Sequence, residues 1–480
     1  MMTFPQIDYG ILAPPIVLIV TGLVVLLVDL GSRQAARGLL YAIGVAGCVG
    51  AFATLLPLSG RAETTLGGAF AADRFSWGFD ALLLLTLAVT FLLSSLRRAE
   101  DGGSPGSYAA LLIFCTVGGM IMAGAANLIG IFLGIELLSL SLYILAGTGF
   151  PRQASQEAAL KYVLLGSLAS GFLIFGSALL YGSAGSIALS DLPRAALSGS
   201  PLFVVGFGLW LVGVAFKLAL SPFHTWTPDV YEGSPLAVTA YMAVAVKVAT
   251  FSVLARFVFT VFPHATGALV PLWLIAILSM MVGNFGAIRQ DNLKRLLAFS
   301  SIAQAGYILL ALYGLGTAGL STMLFYLTAY GFMNLGAFAT ISLLGDGGED
   351  YAHIAAYRGL FFRRPWVAAW MTVFFASLAG IPATAGFIGK VLLLEQALSG
   401  GAWGIALAAA LVLGTLVSFY VYFKVIFAMM SPTGDEVPAR AGNSAVSWVA
   451  IGVGLAGVMV LGVLPQAFYA VQPYLTAAAR

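Results

Sequence analysis

Apolar stretches of about 20 residues, separated by short polar connections, follow one another along the whole chain. An α-helix of that length crosses the roughly 30 Å of hydrocarbon in a bilayer. We predict fourteen spans, at residues 11–31, 38–58, 77–97, 108–125, 127–148, 156–182, 202–229, 235–261, 269–288, 293–313, 317–344, 366–398, 403–430 and 446–468. Most connections are too short for a soluble domain, so the pattern predicts an all-α polytopic membrane protein with a single integral membrane domain, 1–480.

Proline interrupts two of these spans. The seventh breaks around Pro222 and the twelfth around Pro382, because an internal proline lacks a backbone donor and clashes with the preceding turn. If spans four to eight form one unit and spans nine to thirteen another, the broken helix is the fourth member of each. A five-helix unit is odd, so the second copy inserts upside down. We therefore expect two inverted repeats, 108–261 and 269–430, preceded by three helices in 1–107 and followed by one in 446–480.

The distribution of lysine and arginine predicts the orientation, since these residues favour cytoplasmic connections. With the N-terminus outside, the inner connections hold Arg33, Arg37, Arg97, Arg98, Arg152, Arg289, Lys294, Arg295, Arg358, Arg363, Arg364 and Arg440. The outer side holds Arg61, Arg74, Arg194, Arg256 and Arg480. An even number of spans puts both termini on one side, which this imbalance predicts to be the outside.

Composition narrows the class of protein further. The chain is 60% hydrophobic and 9% charged, and its net charge of +3 comes from basic residues scattered singly or in pairs, so no nucleic-acid partner is expected. Cys48 and Cys115 both lie in apolar stretches, which predicts neither a disulfide nor a metal site. The sequence has no Gly-rich phosphate loop, iron–sulfur cysteine cluster or paired haem histidines, so redox chemistry by this chain alone is not expected.

Four ionisable residues lie near the middle of predicted spans: Glu136, Lys217, Lys247 and Lys390. A charge at the centre of a bilayer costs at least about 2.5–3.5 kcal/mol, so each is a functional candidate. All four titrate, and a carboxylate that moves toward or away from a lysine loads or releases a proton. Because they lie at similar depth in different helices, we expect a lateral polar path, with Glu136 beside Lys217. A static ion pair between these two is the alternative.

Other polar residues near the breaks and span ends have two interpretations. Lys161, near the inner end of the sixth span, is either a relay residue or a snorkelling anchor. His224 is either a proton carrier toward Lys217 or part of the helix break. Thr227 and Asp229 favour helix punctuation, as N-cap and as complement to the helix dipole.

Three segments, 216–235, 290–302 and 380–390, carry a resemblance to a known family. The first includes the string Thr227-Pro-Asp-Val-Tyr-Glu232 and is the most specific. Together they resemble the antiporter-like membrane subunits of proton-pumping respiratory NADH:quinone oxidoreductase (complex I), and most closely the subunit N family. The resemblance covers nearly the whole chain. The sequence ends soon after the fourteenth span, unlike subunit L, and has Lys390 where subunit M typically has glutamate.

The resemblance implies fourteen helices, two inverted five-helix repeats and a proton relay. The positions that match the family's relay residues, in chain order, are Glu136, Lys217, Lys247 and Lys390, and Lys161 matches a sixth-helix lysine of the family. Gln304 stands where relatives often have histidine. Glutamine hydrogen-bonds without titrating, so Gln304 is a candidate relay residue that would act as a hydrogen-bonding link in place of a titrating histidine.

The resemblance also implies where the rest of the machinery lies. NADH, FMN, iron–sulfur clusters and quinone are expected in partner subunits, and no cofactor or metal is expected in this chain. The expected partners are other membrane-arm subunits, including sister antiporter-like subunits, and the lipid of a bacterial inner membrane, with both termini periplasmic. The sequence thus predicts a proton-translocating subunit of this enzyme. The alternatives are a subunit of a multi-subunit sodium/proton antiporter, an independent proton-coupled solute carrier and a scaffold with structural charges.

Overall fold

The computed structural model describes residues 7–31, 37–95, 103–149, 152–262, 269–314, 317–344, 353–399, 401–432 and 445–469, which are almost wholly helical. The α-helices of these ranges are α1 (Ala13–Gly31), α2 (Arg37–Leu55), α3 (Arg74–Ser94), α4 (Pro105–Gly124), α5 (Leu128–Ala146), α6 (Gln153–Ala184), α7 (Leu192–Leu197), α8 (Pro201–Lys217), α9 (Trp226–Gly233), α10 (Leu236–Val261), α11 (Val270–Ile288), α12 (Leu293–Leu309), α13 (Thr317–Ser342), α14 (Leu360–Arg363), α15 (Pro365–Ala379), α16 (Ala385–Leu398), α17 (Gly401–Met430) and α18 (Ala445–Val463). Two short strands, β1 (Glu63–Thr65) and β2 (Phe70–Ala72), pair antiparallel with Thr64 opposite Ala71.

Within the described ranges, twelve helices are long and apolar enough to cross a membrane: α1 to α6, α10 to α13, α17 and α18. Two further apolar helices, α8 and α15, are shorter. Each is followed by a break and then by another helix, α9 or α16. The all-helical, polytopic architecture expected from the hydropathy pattern is therefore confirmed.

Local sequence explains where several helices begin. Asp73 precedes α3 and forms a capping box, in which its carboxylate accepts from the Ser76 backbone N–H while the Ser76 hydroxyl oxygen accepts from the Asp73 N–H. Asn127 and Asn292 cap α5 and α12 through their side-chain oxygens. These polar residues satisfy backbone donors that an apolar cap would leave unpaired.

Contacts between connections define two faces of the helix bundle. The first, which we call the Asp73 face, carries the β1–β2 hairpin and the backbone bridges of Phe70 with Ala125 and of Asn127 with Ala188. The second, the Arg295 face, carries the bridge of Asn292 with His353. Helices α10, α12 and α13 cross between the faces in the centre of the bundle and are buried along almost their whole length. Helices α1 and α6 expose large apolar side chains such as Leu30 and Leu164, which suits contact with lipid.

The two interrupted helices approach the centre from opposite faces. Helix α8 follows the connection that contains Ala188 and so starts at the Asp73 face, whereas α15 follows the connection that begins at His353 and starts at the Arg295 face. Pro222 lies between α8 and α9, and Pro382 lies between α15 and α16. Helices α8 and α15 therefore both direct their carboxyl ends into the interior of the bundle.

Each break also contains an alanine in the left-handed region of backbone space. The φ angles are +58° at Ala219 and +66° at Ala383. A side chain in this region costs about 1–2 kcal/mol, so the surrounding packing has to hold both turns in place. The two breaks thus share a proline and a strained alanine, although their sequences differ.

Candidate functional site

Lys217 is the last residue of α8, and only 3% of its surface is exposed. Its Nζ donates to the Tyr143 hydroxyl of α5 at 3.2 Å. The same nitrogen lies 5.1 Å from the ring centroid of Tyr143 and 5.5 Å from that of Tyr162. The ammonium group therefore occupies an aromatic pocket, where cation–π attraction partly replaces hydration.

Glu136 lies on α5, about two turns before Tyr143 and on the same side of that helix. Its carboxylate accepts from the Ser170 hydroxyl of α6. Among the described residues it forms no ion pair with Lys217, although it lies within electrostatic range of that lysine. The direct contact expected from the sequence is replaced by an arrangement in which Tyr143 touches the lysine and the carboxylate acts from further along the helix.

Lys247 lies near the centre of α10 and is 2% exposed. Its Nζ donates to the backbone carbonyl of Leu218 at 3.2 Å. Leu218 directly follows Lys217, so both lysines sit at the carboxyl end of α8. Carbonyl groups at a helix C-terminus lack intrahelical partners and carry partial negative charge, which favours a cation.

Lys390 repeats this arrangement at the second break. It lies on α16, is 5% exposed and donates to the carbonyls of Leu378 at 3.2 Å and Ala379 at 2.8 Å. These two residues end α15. The Lys390 nitrogen also lies 5.3 Å from the ring centroid of Tyr307. Both half-helices thus present carbonyls to a buried lysine.

A set of buried hydroxyl groups lies between the two breaks, on α9, α12 and α13. The Tyr231 and Tyr330 hydroxyls lie 3.4 Å and 3.1 Å from the Ser301 Oγ. One turn along α12, Gln304 Oε1 accepts from the Tyr326 hydroxyl at 2.6 Å. Gln304 is thus a buried hydrogen-bonding residue of the site.

The Arg295 face carries a network of ion pairs that joins three helices. Lys161 of α6 pairs with Glu157 at 2.6 Å and with Asp229 of α9 at 2.7 Å. Arg295 of α12 pairs with Asp229 at 2.6 Å and with Glu232 at 2.9 Å. These side chains are partly exposed, so each pair contributes only about 0–1 kcal/mol. Asp229 therefore bridges two cations. This role is separate from the predicted one, in which its charge complements the helix dipole.

The first break differs from the predicted capping in one detail. Helix α9 begins at Trp226 after Thr225, so Thr227 lies inside the helix and its prediction as N-cap was wrong. The turn continues directly into the helix because the Thr227 N–H already donates to the His224 carbonyl at 2.9 Å. The His224 side chain is half-buried, and its Nδ1 has no hydrogen-bond partner in the described part of the chain.

Lys424 of α17 anchors a second point on the Arg295 face. Its Nζ donates to Asp291 Oδ1 at 2.9 Å and to the Gln290 carbonyl at 3.1 Å. The hydrogen bond from Lys424 holds the pKa of the Asp291 carboxyl below its ordinary value.

Arg256 is placed differently from the prediction, which assigned it to an outer connection. It lies within α10, buried, and forms a bidentate pair with Asp73 at 2.8 Å and 3.0 Å. The Arg256 guanidinium also donates to the Ala123 carbonyl at 2.8 Å. Burial is tolerated because the Asp73 carboxylate pairs with the guanidinium. Asp73 lies far from Arg256 along the chain, so hydropathy does not reveal the pair. The orientation residues that lie outside the described ranges are Arg33, Arg97, Arg98, Arg440 and Arg480.

Sequence reasoning missed the tyrosines of the site. Tyr143 and Tyr307 approach buried lysines, and Tyr326 holds Gln304. A tyrosine in an apolar span ordinarily indicates core packing. The one available signal was that Tyr143 follows Glu136 at helical spacing on the same face.

An all-α membrane bundle with buried lysines at the carboxyl ends of two interrupted helices defines an antiporter-like membrane subunit. The family model described as NADH:quinone oxidoreductase/Mrp antiporter, transmembrane, matches residues 125–417, and the chain belongs to this family. It is 42% identical over 480 residues to NADH-quinone oxidoreductase subunit N 1 of Symbiobacterium thermophilum, covering 96% of each chain. The subunit N resemblance carried by the three motifs is thereby confirmed.

Solved structures agree with this family. A chain of respiratory complex I from Thermus thermophilus is 34% identical, with a TM-score of 0.80 and coverage of 97% of this chain and all of that one. A chain of the Mrp complex from Dietzia sp. has a TM-score of 0.82 at 21% identity, with coverage of 98% and 97%. At that identity the Mrp likeness shows a shared fold alone.

Proposed function

We propose that this chain is the proton-translocating subunit N of a bacterial NADH:quinone oxidoreductase. Protons pass through Glu136, Lys217, Lys247 and Lys390, while redox chemistry takes place in partner subunits that hold NADH, FMN, iron–sulfur clusters and quinone. One observation carries the proposal: three buried lysines lie at the carboxyl ends of the interrupted helices α8 and α15 in the middle of the bundle. Lysines so placed are costly unless they are used.

Two lysines at one helix end couple their protons. Lys217 ends α8, and Lys247 donates to the next carbonyl. Like charges repel, so a proton that arrives at Lys217 favours departure of a proton from Lys247. A change in charge near Glu136 acts on Lys217 from within electrostatic range. This order of events links a distant redox step to proton movement.

The hydroxyl groups between the breaks extend the path toward Lys390. Tyr231 belongs to α9, whereas Tyr326 and Tyr330 belong to α13 beside the second break. Hydroxyl groups both donate and accept, so they support proton transfer over a lateral distance. Gln304 serves here as a hydrogen-bonding link. Lys161 and His224 lie on the Arg295 side of the relay, where proton entry belongs.

We further propose that the chain forms fourteen spans in two inverted repeats. In this description α8 with α9 is the seventh span, and α15 with α16 is the twelfth. The division is 1–107, 108–261, 269–430 and 446–480. Entry of α8 and α15 from opposite faces supports the inversion.

The Arg295 face is the cytoplasmic side in this proposal, with the chain in the bacterial inner membrane and both termini periplasmic. The excess of basic residues in its connections supports this orientation. Its partners are the other membrane-arm subunits, including sister antiporter-like subunits.

The role of Lys390 is tested by Lys390→Ala in the assembled complex. We expect fewer protons moved per NADH oxidised, because the relay loses its member at the second break. Lys424→Ala is the matched control, since that lysine donates at the Arg295 face rather than inside the bundle. Wild-type pumping in Lys390→Ala at wild-type assembly would contradict the relay.

The sodium/proton antiporter alternative predicts a different assembly. A tagged copy of this chain is expected to co-purify with an NADH-oxidising arm, and NADH-driven pumping is expected to proceed without sodium. Purification without any NADH-oxidising activity, together with sodium-dependent proton exchange, would favour the antiporter.

A further inference from the structure

Asp80 is a buried carboxyl that the proposed relay does not use. It lies on α3, its residue is 6% exposed, and its Oδ1 has no hydrogen-bond partner in the described part of the chain. An unpaired polar atom in the interior costs free energy, and an ionisable group inside the membrane costs more. Packing alone therefore gives no reason to keep a carboxyl at this position.

The nearby Asp73–Arg256 pair does not satisfy Asp80. Arg256 uses its terminal nitrogens on Asp73, and its Nε and one terminal nitrogen donate to the Ala123 carbonyl at 3.3 Å and 2.8 Å. Its guanidinium carbon also lies 4.5 Å from the ring centroid of Phe75. Asp73 is engaged by Arg256 and by its capping box. The pair is thus complete without Asp80 and acts on it only through space.

The depth of Asp80 follows from its neighbours. A Cβ on Gly119 would lie 3.1 Å from the Leu83 Cδ1 of α3 and 3.3 Å from the Ala249 Cβ of α10. These two side chains therefore lie at similar depth in the bundle. Asp80 is about one turn closer to the Asp73 face than Leu83, since α3 begins at that face. Lys247 lies on the other side of Ala249. Asp80 therefore stands between Lys247 and Arg256 in depth.

We propose that Asp80 is the residue through which this subunit releases protons from Lys247 toward the Asp73 face. The Lys247 ammonium gives up its proton through intervening water to the Asp80 carboxylate, which becomes a neutral carboxyl. That carboxyl then loses the proton to water beyond the Asp73–Arg256 pair and returns to the carboxylate. The proposal rests on the function proposed above, because it needs Lys247 as the donor.

The test uses Asp80→Asn in the assembled complex reconstituted into vesicles. We expect fewer protons moved per NADH oxidised than in wild type, because protons that leave Lys247 toward the Asp73 face need Asp80, whereas the path to Lys390 stays open. Asp80→Glu keeps the carboxyl and is expected to restore pumping. Thr86→Val is the matched control on α3, since that buried hydroxyl bonds only within its own helix and its loss leaves pumping unchanged.

A second measurement separates an outlet from a merely structural residue. Redox-induced infrared difference spectra are expected to contain a carboxyl C=O band that disappears in Asp80→Asn, shifts in Asp80→Glu and persists in Thr86→Val. Wild-type pumping and an unchanged carboxyl band in Asp80→Asn overturn the proposal. If Lys247→Ala pumps less while Asp80→Asn pumps normally, the outlet is wrong and the relay stands. If both pump normally, the relay itself is wrong.

Discussion

Each buried lysine of the site is held by an uncharged acceptor. Lys217 donates to a tyrosine hydroxyl, whereas Lys247 and Lys390 donate to backbone carbonyls. A carboxylate in direct contact would lock a buried lysine in its charged form. A neutral acceptor also accepts a hydrogen bond from an uncharged amine, so the proton is free to leave. This difference distinguishes a carrier from a static ion pair.

Tyr143→Phe tests the importance of the neutral acceptor at Lys217. A hydrogen bond to a charged group contributes about 1.5–3 kcal/mol, so its loss weakens the loaded state of the relay. We expect reduced proton pumping by assembled complex. Tyr162→Phe is the matched control, because its ring also faces Lys217 but its hydroxyl has no partner in the described residues. Equal pumping by the two variants would contradict a role for the Tyr143 hydroxyl.

Single residues also show the limit of sequence reasoning. Lys217, Lys247 and Lys390 were predictable, because a charge in a long apolar run is visible in one dimension. Their partners were not, since Tyr143 is 74 residues from Lys217 and only packing brings the two together. The charge of Arg256 was misplaced for the same reason, since Asp73 lies 183 residues away.

At the scale of helices, the important feature is the carboxyl end of an interrupted helix. Helices α8 and α15 both stop inside the bundle, and the carbonyls they leave unpaired meet a lysine ammonium. A continuous helix would satisfy these carbonyls internally. The prolines that predict the breaks were visible in the sequence. The left-handed alanines that complete each turn, Ala219 and Ala383, were not, because alanine carries no turn signal.

Gly380→Ala tests the geometry at the end of α15. Gly380 has a φ of +91°, and an added Cβ would lie 3.0 Å from the Lys390 Cδ and 3.3 Å from its Nζ. We expect pumping to fall because Lys390 is displaced from the carbonyls. Gly185→Ala is the matched control, since Gly185 caps α6 with a φ of +70° but has no atom within 4 Å of its Cβ position.

Both glycine variants carry a similar backbone cost of about 1–2 kcal/mol, so thermal stability is expected to fall by a similar amount in each. The comparison of proton pumping at equal assembly therefore isolates the contact with Lys390. If pumping fell as far in Gly185→Ala as in Gly380→Ala, backbone strain alone would explain the effect.

At the scale of the whole molecule, the two faces of the bundle have different chemistry. Among the described residues, the Arg295 face carries the open ion-pair network of Lys161, Asp229 and Arg295, whereas the Asp73 face carries the buried pair of Asp73 with Arg256. The proposed relay lies between them. Hydropathy predicted the class of fold because the period and length of apolar runs set how many helices form. It did not predict these networks, which depend on how helices distant in sequence pack together.

The proposed relay depends most directly on the two lysines at the end of α8. Lys217→Ala and Lys247→Ala, each in assembled complex reconstituted into sealed vesicles, should be compared with wild type for protons moved per NADH oxidised. We predict a lower ratio in both variants, with the complex still assembled and still able to oxidise NADH. A wild-type ratio in both variants at wild-type assembly would contradict the account.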